Sequence, residues 1–378
     1  SETVVPAVNF GSAVVRFSVI VALIALAVSR IGRIVSQVTS VQVLAFALFA
    51  WAAVSTYLDT AHSGLSFLPM QAAVLLGLVG ALPGSLLYGS ERARAATALA
   101  YVGAGLIMFH ASALVFSNES WIEGRFRAWF LLPTNFAHSV SLPYLAVVWL
   151  ALFGERRVVR LLMAGVVLVG AVLLVLTGTR GALVAVGAGA SVMLLMSPWR
   201  TLGVVVVGLT AVAIAQVSGV LQLVPQEVSS RLMDPSSQTR VAIWAKTWDL
   251  IWAKPVLGYG LGTPVSAWIT EVDAFGVVNP HNAYLGTWLR LGVIGLTLVV
   301  LVYAGAIGRG VMEWRRAKER GDPVVLFLGL VVALLVGGLV EDNLHSRGSI
   351  QQFVLGLSIA AIYASRLRRA ARPGTEGA

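Results

Sequence analysis

The chain has 378 residues, 58 % of them hydrophobic and only 12 % charged, with a mean hydropathy of +0.85. Soluble domains carry about a quarter charged residues, so this balance excludes a soluble enzyme and makes lipid the solvent for most of the chain. The net charge of +10 is accounted for by the basic loops that membrane proteins keep in the cytoplasm, and no nucleic-acid partner is expected. With no cysteine, disulfides, thiolate nucleophiles and cysteine metal sites are excluded.

Apolar stretches of the ~20 residues that a transmembrane helix needs recur near 12–28, 41–58, 69–89, 95–116, 137–153, 158–176, 181–196, 201–218, 284–307, 324–340 and 350–365. They do not alternate as barrel strands do. The expected class is an all-α polytopic membrane protein with 11–12 transmembrane helices, forming a single integral membrane domain over 1–378. Its one long polar interval, 219–283, is expected to be a loop carrying short helices. Ser1-Glu2-Thr3 lacks a basic region and a small-residue cleavage site, so no removable signal peptide is expected.

Basic and non-basic connections alternate along these spans. Arg30/Arg33, Arg92/Arg94, Arg156/Arg157/Arg160, Arg200, the Arg309–Arg320 run and the tail from Arg366 hold most of the 27 Lys and Arg residues. That side is read as cytoplasmic, with the C-terminus inside. The segment Ser117–Asn135, the turn Thr177–Arg180, the long loop and the turn Glu341–Gly348 fall on the other side. Eleven spans leave the N-terminus outside, and a twelfth within 1–94 would bring it inside.

Arg180 lies in Thr177-Gly178-Thr179-Arg180-Gly181-Ala182, a turn of a few residues between two strongly apolar helices. A guanidinium so close to hydrocarbon must pair or reach water. It either snorkels to headgroups or faces a cavity, where its fork of donors suits a phosphate. In the long loop, Arg240, Trp244, Trp248 and Trp252 share one helical face, with Ile243, Thr247 and Ile251 on the flank. That helix is expected to lie along the outer headgroup layer or to pack its tryptophans on neighbouring spans; the two are compatible. Arg240 would meet a lipid phosphate or a ligand anion. Lys254-Pro255 ends the helix, and Gly258-Tyr259-Gly260-Leu261-Gly262 reads as a flexible turn rather than a nucleotide signature, since no strand precedes it.

Next comes Asn279-Pro280-His281-Asn282-Ala283-Tyr284. Here Asn279 is expected to cap a helix, Pro280 to take its first position and His281 to fall in the first turn. The positive end of a helix disfavours imidazolium, so a neutral, proton-accepting ring is expected, either catalytic or simply a structural capping group. His62, His138 and His345 lack this context, and His110, inside a span, is expected to make an ordinary buried hydrogen bond. The acidic residues on the outer side show no Asp-x-Asp or His-x-x-x-His pairing. No metal site and no cofactor are expected, and arginines with one neutral base fit a metal-free transfer from a phosphate leaving group.

The pattern Arg240 … Trp244 … Pro255 … Gly258-x-Gly260-x-Gly262, then Pro280-His281-Asn282-x-Tyr284-Leu285 and Leu291-Gly292-x-Ile294-Gly295, resembles the O-antigen ligase and polymerase family of bacterial envelopes. Thr179-Arg180-Gly181-Ala182 resembles that family's Ser/Thr-Arg-Gly-Ala motif, and Arg125 through Pro133-Thr134-Asn135 its Arg … Pro-Asn segment. The resemblance implies a C-type glycosyltransferase fold in the inner membrane, with twelve spans, both termini inside and a periplasmic active site. It implies an undecaprenyl-pyrophosphate-linked glycan as donor and a sugar hydroxyl of the lipid A-core as acceptor. Carried onto this chain, Arg180 and Arg240 would bind the pyrophosphate and His281 would be the general base of an inverting transfer. Arg125, Asn282, Tyr284 and Arg347 would line the site. One long loop late in the chain favours a ligase over a polymerase. A transporter of lipid-linked glycan would call for an inverted repeat and helices broken at mid-membrane, and the sequence displays neither.

Overall fold

Inside a bilayer the backbone must satisfy its own polar groups, and a helix does so within one segment. The computed structural model describes residues 40–58, 90–117, 120–130, 132–197, 238–260, 280–317, 321–339, 341, 354–359 and 361–363. Over them run α1 (Ser40–Leu58), α2 (Ser90–Phe116), β1 (Trp121–Ile122), β2 (Arg125–Phe126), α3 (Pro133–Phe153), α4 (Arg157–Leu176), α5 (Arg180–Leu195), α6 (Gln238–Ala253), α7 (Ala283–Arg316) and α8 (Val324–Gly337). Six of the expected spans match α1–α5 and α8 to within a few residues, while the span expected at 284–307 continues to Arg316. Those at 12–28, 69–89 and 201–218 lie outside the described residues, and within 350–365 the residues 354–359 and 361–363 are helical. The protein is thus a helical, multi-pass membrane protein; α2, α3, α4 and α7 are each long and apolar enough to cross a membrane.

Burial sorts these helices. In α8 every residue from Val324 to Val331 is buried, as expected of a helix apolar all round. In α4 Val158, Leu161, Leu162, Leu168 and Val172 are exposed, a face for lipid. Helices α5 and α8 approach closely and antiparallel through small residues. A Cβ at Gly189 would lie 2.8 Å from the Gly329 carbonyl oxygen and 3.0 Å from the Ala333 Cβ, and one at Gly337 would lie 3.3 Å from the Ala185 Cβ. This register sets the N-terminus of α5, with Arg180, beside the C-terminus of α8. The opposite end of the bundle is basic and closed by carboxylates. Arg92 Nη2 donates to both oxygens of Asp322 at 2.7 and 2.9 Å, and Arg309 Nη2 lies 2.6 Å from Glu313 Oε1.

Three expectations need correction here. The described part of the glycine-rich run after α6, Gly258-Tyr259-Gly260, is not a flexible turn but packs across a break in α7, while Leu261 and Gly262 lie outside the described residues. At Gly292 (φ 66°, ψ −176°) the helix is interrupted, and the groups it frees find partners in the neighbouring backbone. The Leu289 carbonyl accepts from Tyr259 N (3.0 Å), the Arg290 carbonyl from Gly260 N (2.8 Å), and Val293 N donates to the Pro255 carbonyl (2.8 Å). Helix α1 completes the set: Trp51 Nε1 donates to the Leu291 carbonyl at 2.7 Å, and Ser55 Oγ reaches the Leu257 and Arg290 carbonyls at 2.6 and 3.2 Å. The chain therefore does contain a broken helix, although the sequence displays none. His110, expected to make a buried hydrogen bond, instead packs its ring against Phe109, Phe130 and Phe136, and its Nδ1 has no hydrogen-bond partner among the described residues.

The break makes Gly292 irreplaceable. A Cβ there would lie 1.8 Å from the Val256 carbonyl oxygen, and a positive φ is itself strained for any other residue. Gly292→Ala should lower stability by ~2–5 kcal/mol, read as a lower thermal unfolding midpoint of the detergent-purified protein. An unchanged midpoint would mean that the two segments are not in backbone contact.

Candidate functional site

The turn that carries Arg180 is built from its own hydroxyls and braced from outside. Helix α4 ends at Thr177, Gly178 (φ 61°) turns the chain, and α5 begins with Arg180 as its first residue. Thr177 Oγ1 donates to the Leu174 carbonyl at 2.7 Å and accepts from Thr179 N at 3.1 Å. The brace is Arg125. In the β1–β2 hairpin, Glu123 (φ 48°) and Gly124 (φ 68°) form the tight turn that antiparallel strands favour. The hairpin presents Arg125 so that Nε donates to the Thr177 carbonyl at 2.7 Å and Nη2 to Thr179 Oγ1 at 3.2 Å. Thr177, Gly178 and Thr179 are buried, whereas Arg180 is exposed at the helix N-terminus, with no acidic residue in the first turn of α5. A guanidinium at the N-terminus of a helix is an arrangement suited to an anion.

The mouth of α7 differs from the sequence expectation. The cap is Asn282, whose Oδ1 accepts from Tyr284 N and Leu285 N, both at 3.0 Å. Pro280 and His281 therefore precede the helix, and Asn279 lies outside the described residues. The reason is conformational: His281 has φ 48°, a left-handed conformation uncommon for a residue other than glycine, so no helix can run through it. Trp244 holds this turn from α6, its Nε1 donating to the Pro280 carbonyl at 2.6 Å. The mouth is also tied to the end of α8. Ala283 N donates to the Gly338 carbonyl at 2.7 Å, Asn282 Nδ2 to the Leu339 carbonyl at 3.0 Å, and Tyr284 Oη to the Leu335 carbonyl at 2.9 Å.

Two side chains without an assigned role meet His281 there. Glu341, just past α8, places Oε2 3.5 Å from His281 Nδ1 and Oε1 3.9 Å from His138 Nε2, the latter on α3. Side-chain exposures of 36 % for His281, 15 % for Glu341 and 13 % for His138 put the first at the surface of the site and the other two behind it. Among the described residues no group of three His, Cys, Asp or Glu side chains is disposed to hold a metal ion. The Glu341 carboxylate thus lies between the two imidazoles, facing His281 Nδ1 and standing beyond direct hydrogen-bonding reach of His138.

Of the residues expected at the site, His281, Asn282, Tyr284, Arg125 and Arg180 gather at one end of the bundle. The register of α5 on α8 brings Arg180 there, and the backbone ties between α7 and α8 bring His281. Arg125 braces the Arg180 turn through the Thr177 carbonyl and the Thr179 hydroxyl, and Asn282 and Tyr284 fasten the α7 mouth. Arg240 lies in the first turn of α6, one turn before Trp244. Arg347 lies outside the described residues. The tryptophan face divides between packed and exposed side chains, as the packing expectation requires in part. Trp244 is tied to Pro280 and, with Trp288, packs on a small core of Ile243, Ile251, Tyr259 and Leu289, while Trp248 and Trp252 are half-exposed and pack edge-on to Trp288.

Sequence comparison bears on this geometry. Residues 165–300 match the O-antigen ligase family model. The matched segment runs from α4 to the middle of α7 and holds Arg180, Arg240 and His281, but stops short of Arg125, His138 and Glu341. The chain is 30 % identical over 222 residues to an O-antigen ligase of Pseudomonas aeruginosa, covering 57 % of this chain and 51 % of that protein. It is 30 % identical over 123 residues to an O-antigen ligase of Salmonella typhimurium, covering 29 % of this chain and 30 % of that protein. The chain thus spans about half the length of the first relative and less of the second. Among solved structures, a chain from a study of a peptidoglycan synthase complex that coordinates polymerization and crosslinking superposes with a TM-score of 0.50 at 22 % identity, over 86 % of this chain and 97 % of that one. That likeness is one of fold alone.

The brace yields a stability prediction. Arg125→Ala removes two charge-assisted donors from a buried turn and should cost about 1.5–3 kcal/mol. Arg125→Lys should recover only part of this, because an ammonium cannot match the forked pair. Thermal unfolding of the three proteins in one detergent ranks them, and a lysine variant equal to wild type would show that the fork geometry is immaterial.

Proposed function

We propose that this protein is an O-antigen ligase, which transfers a glycan from undecaprenyl pyrophosphate to a sugar hydroxyl of the lipid A-core at the periplasmic face of the inner membrane. The observation that carries this reading is the placing of a carboxylate-backed histidine and a helix-terminal arginine at the same, less basic end of a membrane bundle. The family match over the segment holding Arg180, Arg240 and His281 supports the same reading. Arg180, with the α5 N-terminus, binds the donor pyrophosphate and stabilises the negative charge that grows as it departs. Arg240 is the second pyrophosphate ligand, supplied by α6.

In the reaction the acceptor O–H gives its proton to His281 Nε2. The acceptor oxygen then forms a bond to the anomeric carbon from the face opposite the donor oxygen. The C–O bond to phosphate breaks with its electron pair remaining on the pyrophosphate, and the configuration inverts. Only proton transfer and charge stabilisation are needed, which is why the transfer is proposed to be metal-independent. The acceptor and donor are both amphiphiles, and membrane lipids hold them at the depth of the site.

The test is glycan transfer in vitro with purified protein, undecaprenyl-pyrophosphate-linked glycan and lipid A-core, in the presence of EDTA. Wild type should transfer glycan to core, His281→Ala should lose ~10²–10⁴-fold in kcat, and Arg180→Ala should lose ~10²-fold or more in kcat/KM. Elongation of the glycan on its lipid carrier, with the core left bare, would make the protein a polymerase. Full activity of His281→Ala would remove the histidine from the chemistry.

A further inference from the structure

We propose that Glu341 is a positioning residue shared between two histidines: it holds His281 with Nε2 turned to the acceptor hydroxyl, while His138 anchors the far oxygen of the same carboxylate. The proposal rests on the reading of His281 as the base. Glu341 Oε2 lies 3.5 Å from His281 Nδ1, and Oε1 lies 3.9 Å from His138 Nε2. His138 Nε2 is buried and has no hydrogen-bond partner among the described residues, a costly state that a small movement toward Oε1 would relieve. Both separations are at or beyond the limit of a direct hydrogen bond. Catalytic contacts of this kind are commonly long without substrate and shorten when it binds.

The carboxylate and the base share one frame. Glu341 N donates to the Gly337 carbonyl at 3.0 Å, and two residues earlier the Leu339 carbonyl accepts from Asn282, the neighbour of His281. His138 enters from a third element, α3, so the group joins three helices around a single carboxylate.

A base at the loose mouth of a helix needs such a partner. A proton on Nδ1 donated to Oε2 leaves the lone pair of His281 on Nε2, on the side away from α8. When the acceptor proton arrives at Nε2, the imidazolium faces a carboxylate already in place, and the proton later leaves from Nε2 to water. Glu341 neither takes nor gives a proton in this scheme, and His138 acts only through Glu341.

The experiment compares steady-state transfer by wild type, Glu341→Gln, Glu341→Asp, His138→Leu, the double variant Glu341→Gln/His138→Leu, and His281→Ala, all in the full-length purified protein. Glu341→Gln should lower kcat at least ~10-fold with donor KM unchanged, and Glu341→Asp, which keeps the carboxylate, should recover part of the loss. His138→Leu should lower kcat less than Glu341→Gln does, and the double variant should be no worse than Glu341→Gln alone, because the two losses share one path. Wild-type kcat in Glu341→Gln alongside an inactive His281→Ala would overturn the role of Glu341 and leave the base reading intact. An active His281→Ala would instead sink the base reading and this inference together. Equal losses in Glu341→Gln and Glu341→Asp, each with a lowered unfolding midpoint, would assign Glu341 to structure alone and refute the proposal.

Discussion

The site depends on how the first turn of α7 is fastened to the last turn of α8. A helix end buried among apolar neighbours leaves orphan N–H and C=O groups. Here the two ends satisfy each other: Ala283 N meets the Gly338 carbonyl, Asn282 Nδ2 the Leu339 carbonyl, and Tyr284 Oη the Leu335 carbonyl. Since α8 is buried along most of its length, its C-terminus is fixed by the core, and the α7 mouth is fixed in turn. His281 and Glu341 are then brought together by backbone geometry, not by the attraction of an exposed ion pair, which would be weak. The same end of α8 lies against the start of α5 through Ala185 and Gly337, so one rigid helix terminus positions both the histidine and the arginine.

Much of this was legible in the sequence because hydropathy is a strong signal. Uninterrupted apolar runs located α1 to α5 and α8, and the alternation of basic loops separated the two ends of the bundle. Arg180 and His281 stood out because a charge or an imidazole beside a long apolar run needs a reason. Glu341 and His138 did not. An acid after an apolar span and a histidine early in another are ordinary features singly, and only the packing of α3, α7 and α8 makes them neighbours. The break at Gly292 was hidden for a related reason: a glycine within an apolar run reads as helix, and its partners lie far off in sequence, in the Pro255–Gly260 segment and on α1. The cap was misassigned because Asn279-Pro280 fits the local rules for a helix start. The outcome was decided instead by the left-handed His281 and by the second asparagine, which had a carbonyl of α8 to bind.

Arginine placement separates the two ends chemically. At the basic end Arg92 and Arg309 face carboxylates at hydrogen-bonding distance, an arrangement that secures helix ends. At the other end Arg125 faces the Thr177 carbonyl and the Thr179 hydroxyl. Those two bonds hold the guanidinium against the turn. The turn bearing Arg180 is thus braced by a guanidinium from outside the two helices it joins.

The broken helix bears on the choice between transfer and transport. In transporters, unwound segments line a substrate cavity with unpaired backbone dipoles. In α7 the freed carbonyls of Leu289, Arg290 and Leu291 are taken by Tyr259, Gly260, Ser55 and Trp51, and Trp288 and Val293 both donate to the Pro255 carbonyl. These groups are closed against each other and are not free to coordinate a passing ligand. The part after the break, 293–316, is about 36 Å long at roughly 1.5 Å per residue, enough to cross ~30 Å of hydrocarbon by itself. Nothing then requires Ala283–Leu291 to lie in the bilayer core. The break frees that short segment to serve as a rigid shelf, clamped by the tryptophans of α6, on which His281 is carried.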